Sequence, residues 1–330
     1  DGLNWLKIGD VDKEAKYVTH TAEKVRPEAL SKTRVVNHGD LILSNSMSFG
    51  RPYILQIKTC IHDGWIAITN IAKKPDRDFL YYLISAPSSQ IYFVDNAAGS
   101  GVQNLNADII KALPVYFPSP AEQKRIADCL SSLDELIDAQ AQKVDALKTH
   151  KKGLMQQLFP REGESQPRLQ FPEFQDSGAW ETRPQGVLTI NQNVKAYEKD
   201  IVKAGKYVVV NSRFISTDGA VRKYTNAAHL VAKSGDVLMV LSDLPKGKAL
   251  AKCYFVEACD RYAVNQRVCR LQPSQVDGKF LYYALNRHPR LLAFDDGLNQ
   301  THLSKAGVTD CPLCIPKEKA EQQRIASCLS

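Results

Sequence analysis

The chain has 330 residues, 44% apolar and 24% charged, with a formal net charge of +7 at pH 7. These are ordinary globular values with room for two domains, which excludes a disordered or low-complexity polymer. No apolar run is long enough to cross a bilayer as a helix, no secretory signal pattern opens the chain, and the charge is too mild to identify a polyanionic partner by itself; a soluble, cytoplasmic protein is expected.

In chain order, Asn4 to Gly9, Asp40 to Ser44 and Tyr53 to Ile57 read as strands, with turns at Gly39, Gly50 and Gly64. A short helix is expected from Phe79 to Ile84, after Pro75-Asp76, and a short buried strand from Leu113 to Phe117. Ser119-Pro120-Ala121-Glu122 is a helix start: Ser119 can cap, Pro120 suits the first helical position, and Glu122 can close a capping box. Ile126, Leu130, Leu133, Ile137, Gln140, Val144, Leu147, Lys151, Leu154 and Leu158 then alternate at spacings of four and three, the seam of a coiled coil. From Pro120 to Phe159 such a helix is about 60 Å long; Pro160 and residues 161–167 end it. A lone heptad helix leaves its seam wet. Antiparallel pairing with a helix begun at Glu321 to Ile325 is expected, and packing on its own globular domain is the alternative. Further on, Tyr207 to Val210, Asp236 to Leu241, Cys253 to Val256 and Cys311 to Ile315 read as strands, and Phe280 to Asn286 as a helix.

The second half repeats the first. Ala121 to Ser131 returns as Ala320 to Ser330 with nine of eleven positions identical, at an offset of 199. Phe79-Leu80-Tyr81-Tyr82 returns as Phe280-Leu281-Tyr282-Tyr283, and Gly39-Asp40-Leu41-Ile42 as Gly235-Asp236-Val237-Leu238. Leu105, Pro114 and Pro118 fall opposite Leu303, Pro312 and Pro316. Periods of solenoid repeats are about 20–50 residues, so this is duplication of a large mixed α/β (α+β) unit. The second unit has a leader, roughly Glu173 to Lys203, without a counterpart before Asp1; the first has a long helix after Ser131 without a counterpart after Ser330. Both ends are therefore expected to be missing.

Signals for chemistry are weak. Cys311-Pro312-Leu313-Cys314 has the spacing of half a zinc site, but its counterparts are Leu113 and Tyr116 and no second pair stands at ligand spacing, so the cysteines read as small hydrophobes, Cys129 and Cys328 included. Seven histidines are scattered. No GxxxxGK(S/T) loop, adenine methyltransferase motif or Gly-rich cofactor loop is present; no catalysis, metal or cofactor is expected. Asp295-Asp296 before Gly297 reads as a solvated turn.

Two copies of a Gly-Asp strand, a Phe-Leu-Tyr-Tyr helix and a Pro…Ala-Glu-Gln-x-Arg-Ile-Ala helix start (Pro118 to Ala127, Pro316 to Ala326), with Leu169 to Trp180 as lead-in, resemble the specificity subunit of type I restriction-modification systems. The resemblance covers nearly the whole chain. It implies a first target recognition domain over 1–117, a helical spacer over 118–159, a linker over 160–172, a second recognition domain over 173–315 and the start of a second spacer over 316–330. It also implies partners: double-stranded DNA read as a bipartite, asymmetric site, two methyltransferase subunits docked on the coiled coil, and restriction subunits that translocate and cut. The subunit itself would be non-catalytic. A coiled-coil scaffold without DNA recognition and a nuclease with a dispersed acidic centre are the alternatives.

Base reading needs directional donors and acceptors on loops: Arg for guanine, Asn or Gln for adenine. In the first unit the candidates are Lys7 on the first strand, Asn45, Ser46, Ser48 and Arg51, then Gln103, Asn104 and Asn106. In the second they are Asn211, Arg213, Ser242, Lys246, Lys248, Gln266, Arg267, Gln300, Thr301 and His302. Any single Asn or Ser among them could equally be an ordinary turn residue.

Overall fold

The structure, a computed structural model, describes residues 2–45, 49–71, 75–97, 104–193, 200–244, 247–257 and 261–330. The chain divides into two units, 1–144 and 145–330.

In the first unit the strands are β1 (Leu3–Leu6), β2 (Tyr17–Val18), β3 (Glu23–Val25), β4 (Arg34–Val36), β5 (Leu41–Ser44), β6 (Pro52–Leu55), β7 (Thr59–Ile61) and β8 (Trp65–Ile68). The helices are α1 (Arg77–Ser85), α2 (Pro87–Asn96), α3 (Ala107–Lys111) and α4 (Pro120–Leu158), which runs on into the second unit. Two four-stranded sheets form, in the orders β3-β1-β7-β4 and β2-β6-β5-β8, with β1 parallel to β7. β5 is apolar through Leu41, Ile42 and Leu43 because both its faces are covered. Leu41 and Leu43 pack on Tyr81, Ile84 and Phe93 of α1 and α2, while Ile42 packs on Leu6, Tyr53 and Trp65. Alternating side chains of one strand thus feed two cores.

The second unit repeats the centre of this plan, but its edge strand joins the sheet on the other side, beside the counterpart of β8 rather than of β6. Its elements are β9 (Glu181–Pro184), α5 (Gln185–Leu188), β10 (Thr189–Gln192), β11 (Ile201–Val202), β12 (Tyr207–Val210), α6 (Ser212–Ser216), β13 (Tyr224–Thr225), β14 (Val237–Val240), β15 (Ser242–Asp243), β16 (Cys253–Phe255), β17 (Tyr262–Val264), β18 (Val268–Pro273), α7 (Gly278–Leu285), α8 (Pro289–Leu292), β19 (Thr301–His302), α9 (Lys305–Thr309), β20 (Pro312–Ile315) and α10 (Lys319–Cys328). β12 is parallel to β17 as β1 is to β7, and β14 is flanked by antiparallel β16 and β18 as β5 is by β6 and β8. Val237 and Met239 enter one core with Phe280, Leu238 and Val240 the other.

The repeated tetrapeptides make the same bonds twice. Gly39 and Gly235 sit at φ 90° and 88°, where a side chain would be strained, and donate N–H to Leu55 and Val256 carbonyls at 2.8 Å. The Asp40 and Asp236 carboxylates accept from Asn37 and Lys233 N–H, closing the same turn. Asp76 and Asp277 cap α1 and α7, each accepting from the Phe N–H three residues on at 2.9 Å.

Several expectations change. β1 ends at Leu6, and Lys7 instead opens a 3-10 turn over Ile8–Asp10. Leu113 to Phe117 is not a strand, whereas its counterpart is β20. The cause is the partner: β20 pairs antiparallel with β9, which lies in the leader that has no first-unit counterpart within the chain. Leu313 and Ile315 are buried there, while Val115 and Phe117 are exposed and Tyr116 is 86% exposed. Cys129 and Cys328 are exposed, not core. The buried face of α4 runs through Gln123 and Ala127, and a residue two on from Ala127 faces the other way. Of the heptad seam, Leu158 is buried and Leu154 packs beside it in a core with Ile325, Ala326 and Leu329; Ile126, Leu133, Ile137, Val144 and Leu147 are exposed. Leu130 is half-buried. Residues 160–172 are bonded into the second unit: Leu169 N–H reaches Gln157 O, and Phe171 packs on that core under the Arg324 guanidinium.

Glu321 is buried, unlike its counterpart Glu122. Its Oε1 accepts from Gln170 at 2.8 Å and from Trp180 Nε1 at 3.2 Å. Burial pushes the carboxyl above its ordinary value of 4.5, the two donated bonds pull it back, and the Glu318 charge adds to the rise. The folded second unit therefore favours the protonated acid, and its stability falls as pH rises from about 4.5 through the folded value. Glu321→Gln keeps the Oε1 acceptor and removes the charge. It is expected to raise the urea midpoint at pH 7 and to flatten that slope, read from Trp180 fluorescence; a lower midpoint at pH 7 would contradict this account.

Candidate nucleic-acid interface

In the second unit, backbone bonds string the candidate loops along one rim. Asn265 N–H donates to Val210 O at 3.1 Å, placing the 265–267 loop beside Asn211. Leu241 N–H donates to Arg267 O at 2.9 Å, and Leu303 N–H to Leu241 O at 2.8 Å. β15 pairs with β19, setting Ser242 opposite His302, and Gln300 Nε2 donates to Ser242 Oγ at 3.0 Å. Asn211, Ser242, Gln266, Arg267, Gln300, Thr301 and His302 are thus brought together from four loops.

Their roles differ. Asn211 caps α6 by accepting from Phe214 N–H, so its carbonyl oxygen is committed. Ser242 and Thr301 are buried, and Thr301 donates to the Asp295 carboxylate. Arg213, Lys248, Gln266, Arg267, Gln300 and His302 are exposed. Lys248 is anchored through its backbone, its carbonyl accepting from Arg287 at 2.6 Å. None of the ion pairs among the described residues uses Arg213, Lys248 or Arg267. Lys246 lies outside the described residues. Sequence reasoning misses Asn193 and Lys305, which with Asn191, Leu241, Cys269 and Val308 line a 140 Å³ recess on this rim. The signal available is that Ser304-Lys305 follows Leu303 as Asn106-Ala107 follows Leu105.

In the first unit, Gly50 at φ 69° closes the loop after β5 by donating to Ser44 O at 2.9 Å. Asn45 Nδ2 donates to Asp63 O, and Asn45 O accepts from Leu105 N–H at 3.1 Å, joining Asn104 to this loop. Asn104 is exposed. Asn106 caps α3 through Asp108 and Ile109 N–H. Lys7 is ion-paired with Glu23. Arg51 lines a 390 Å³ cleft with Lys13, Phe49, Pro52, Tyr81, Ser85 and Gln90, 3.8 Å from the Glu14 carboxylate. Ser46, Ser48 and Gln103 lie outside the described residues.

The frame is shared and the tips are not. Leu105 N–H to Asn45 O and Leu303 N–H to Leu241 O are the same bond in the two units, so exposed Asn104 and His302 occupy equivalent places with different chemistry. Elsewhere, Cys311 Sγ lies 3.5 Å from His288 Nδ1, which could suggest a nucleophile and base. Burial pushes the thiol up to about 11 and the imidazole down, and Nδ1 also accepts from Arg290 N–H, so the pair is neutral and helix-capping. Among the described residues no group of three His, Cys, Asp or Glu could hold a metal ion, and no helix is long and apolar enough to cross a membrane.

The family model for the type I restriction modification DNA specificity domain matches residues 4–149 and 178–330. The MjaVIII type I restriction enzyme specificity subunit of Methanocaldococcus jannaschii is 26% identical over 274 residues, 77% of this chain and 62% of the relative. The MjaIX specificity subunit of that organism is 26% identical over 141 residues, 41% of this chain and 32% of the relative. The chain thus spans less than two thirds of the length of these curated relatives. A crystal structure of a type I restriction-modification S subunit from M. genitalium superposes with a TM-score of 0.62 at 14% identity, covering 100% of this chain and 85% of that one. A chain from a structure describing complex assembly and conformational transition of a type I R-M system gives 0.56 at 15%, covering 100% and 83%. These likenesses establish a common fold.

Proposed function

Because the chain belongs to the type I restriction modification DNA specificity domain family, we propose that it reads a bipartite, asymmetric site on double-stranded DNA and scaffolds the methyltransferase and restriction subunits of a cytoplasmic type I complex, without catalysis of its own. The observation that carries the reading is one anchoring bond made in both units beneath tips of different chemistry. Made twice, that bond presents the two tips in the same way, and Asn104 against His302 gives each cluster a different hydrogen-bonding vocabulary. Asn offers a donor and an acceptor suited to adenine, whereas the imidazole offers one of each on separate ring atoms. Exposed Arg213, Lys248 and Arg267 suit phosphates, which hold register without reading sequence. The exposed seam from Leu133 to Leu147 is an apolar stripe suited to a second helix, and it serves the scaffolding half of the proposal.

The test is the methylation pattern of cells carrying the complete complex. Asn104→Ala is expected to relax one half-site and His302→Ala the other, each by about 1–3 kcal/mol of discrimination per base pair. Leu133→Asp is expected to leave the chain folded, since the side chain is exposed, and to abolish recovery of the assembled complex. A recognised site that is one short continuous sequence, or two loop variants that relax the same base pair, would overturn the proposal.

A further inference from the structure

The repeated Ala-Glu-Gln motif has a bonding role that DNA contact does not explain. Gln123 and Gln322 are each 3% exposed although each stands at the start of a helix. The Gln123 carboxamide accepts from Asp76 N–H at 2.8 Å and donates to Pro118 O at 2.8 Å. Gln322 accepts from Asp277 N–H at 2.8 Å and donates to Pro316 O at 3.0 Å. Asp76 and Asp277 are the caps of the Phe-Leu-Tyr-Tyr helices. One side chain therefore ties the start of a recognition-unit helix to the chain entering the spacer helix, in both units, with both of its polar ends used. A second tie follows along the first interface, where Tyr82 donates to Asp134 Oδ2 at 2.6 Å, two turns beyond Ala127.

The geometry points to Gln123 and Gln322 as positioning residues that fix the direction in which each spacer helix leaves its recognition unit, and so the distance between half-sites that the complex accepts; the inference rests on the bipartite reading above. The lever is long. A helix of 39 residues extends about 58 Å, so a swing of about 10° at its root moves its far end by about 10 Å, the length of roughly three base pairs. Alanine at either position leaves the half-buried N–H of the capping Asp and the Pro carbonyl without these partners, and the joint must open to water or shift to satisfy them.

The experiment uses the complete complex with its methyltransferase subunits, on duplexes carrying both half-sites at the native spacing and at one and two base pairs more or fewer. Gln123→Ala is expected to lower the preference for the native spacing about tenfold while leaving discrimination within each half-site as in the unsubstituted complex. Tyr82→Phe, which deletes only a hydroxyl, is the second variant and is expected to relax spacing in the same direction. An unchanged spacing preference in a folded Gln123→Ala complex, or in Tyr82→Phe should the first variant fail to fold, overturns the inference; so does equal loss of methylation at every spacing. If the unsubstituted complex favours no bipartite site, the functional reading has failed instead.

Discussion

Asp236→Ala is expected to destabilise the second unit by about 3–5 kcal/mol. Asp236 and Arg270 form an ion pair whose side chains are 3% and 6% exposed. Arg270 Nε donates to Asp236 Oδ2, and its Nη1 donates to Gln192 at 2.9 Å. Nη2 is buried and has no partner among the described residues, so the guanidinium is already incompletely satisfied. Removing the carboxylate strands a buried cation on one neutral acceptor and also frees Lys233 N–H. The first unit supplies the comparison. Leu238 stands opposite Arg270 across β14 and β18, and Ile42 opposite Ala67 across β5 and β8, so Ala67 occupies the arginine's place. Asp40 there only closes its turn, and Asp40→Ala is expected to cost about 1 kcal/mol. Adding Arg270→Ala to Asp236→Ala should recover part of the loss, because the stranded charge goes with it. The check is urea unfolding of chains in which only one unit keeps its tryptophans, since Trp180 is the tryptophan of the second unit and Trp5 and Trp65 are those of the first. Equal midpoint shifts for Asp236→Ala and Asp40→Ala would refute the argument.

The same contrast separates features that are legible in a sequence from those that are not. The Gly-Asp turn, the Asp caps and the Phe-Leu-Tyr-Tyr helix are legible because their requirements are local: a positive φ at Gly39 and Gly235, and a cap three residues before a phenylalanine. Duplication doubles that signal. Whatever depends on a distant segment is not legible. Leu113 to Phe117 and Cys311 to Ile315 look alike in sequence, yet only the second meets β9. Glu122 and Glu321 share a motif, yet only Glu321 is covered by Gln170 and Trp180.

The candidate interface divides along the same line. Asn104, Arg267 and His302 are exposed, His302 at the end of β19. Asn106 and Asn211, by contrast, spend their oxygens on helix starts, since the residue type that reads adenine is also the one that caps. In sequence the Gln of the repeated motif is only part of a helix start, and nothing in its spacing announces that it spans two elements.

Phe280→Ala is expected to cost the second unit about 3–5 kcal/mol, and Phe79→Ala, the same change in the first, the lower end of the Phe→Ala range or less. Phe280 is fully buried; it stacks on Phe159 at 5.3 Å between ring centroids and meets Trp180 edge-on at 5.9 Å. Three elements converge on that ring: the end of α4 through Phe159, the leader through Trp180, and α7 itself. Deleting it leaves a cavity against the buried Trp180 and the half-buried Phe159, so two other elements lose contacts at once. Phe79 has Phe117 as its aromatic neighbour at 6.2 Å, and Phe117 is itself partly exposed, so solvent or a small shift can fill the gap. The near-ultraviolet circular dichroism of Trp180 should weaken in Phe280→Ala before global unfolding, as its edge-on packing is lost. If Phe280→Ala proves no more costly than Phe79→Ala, then the leader and the helix end do not share one core, and the burial of Glu321 would need another cause.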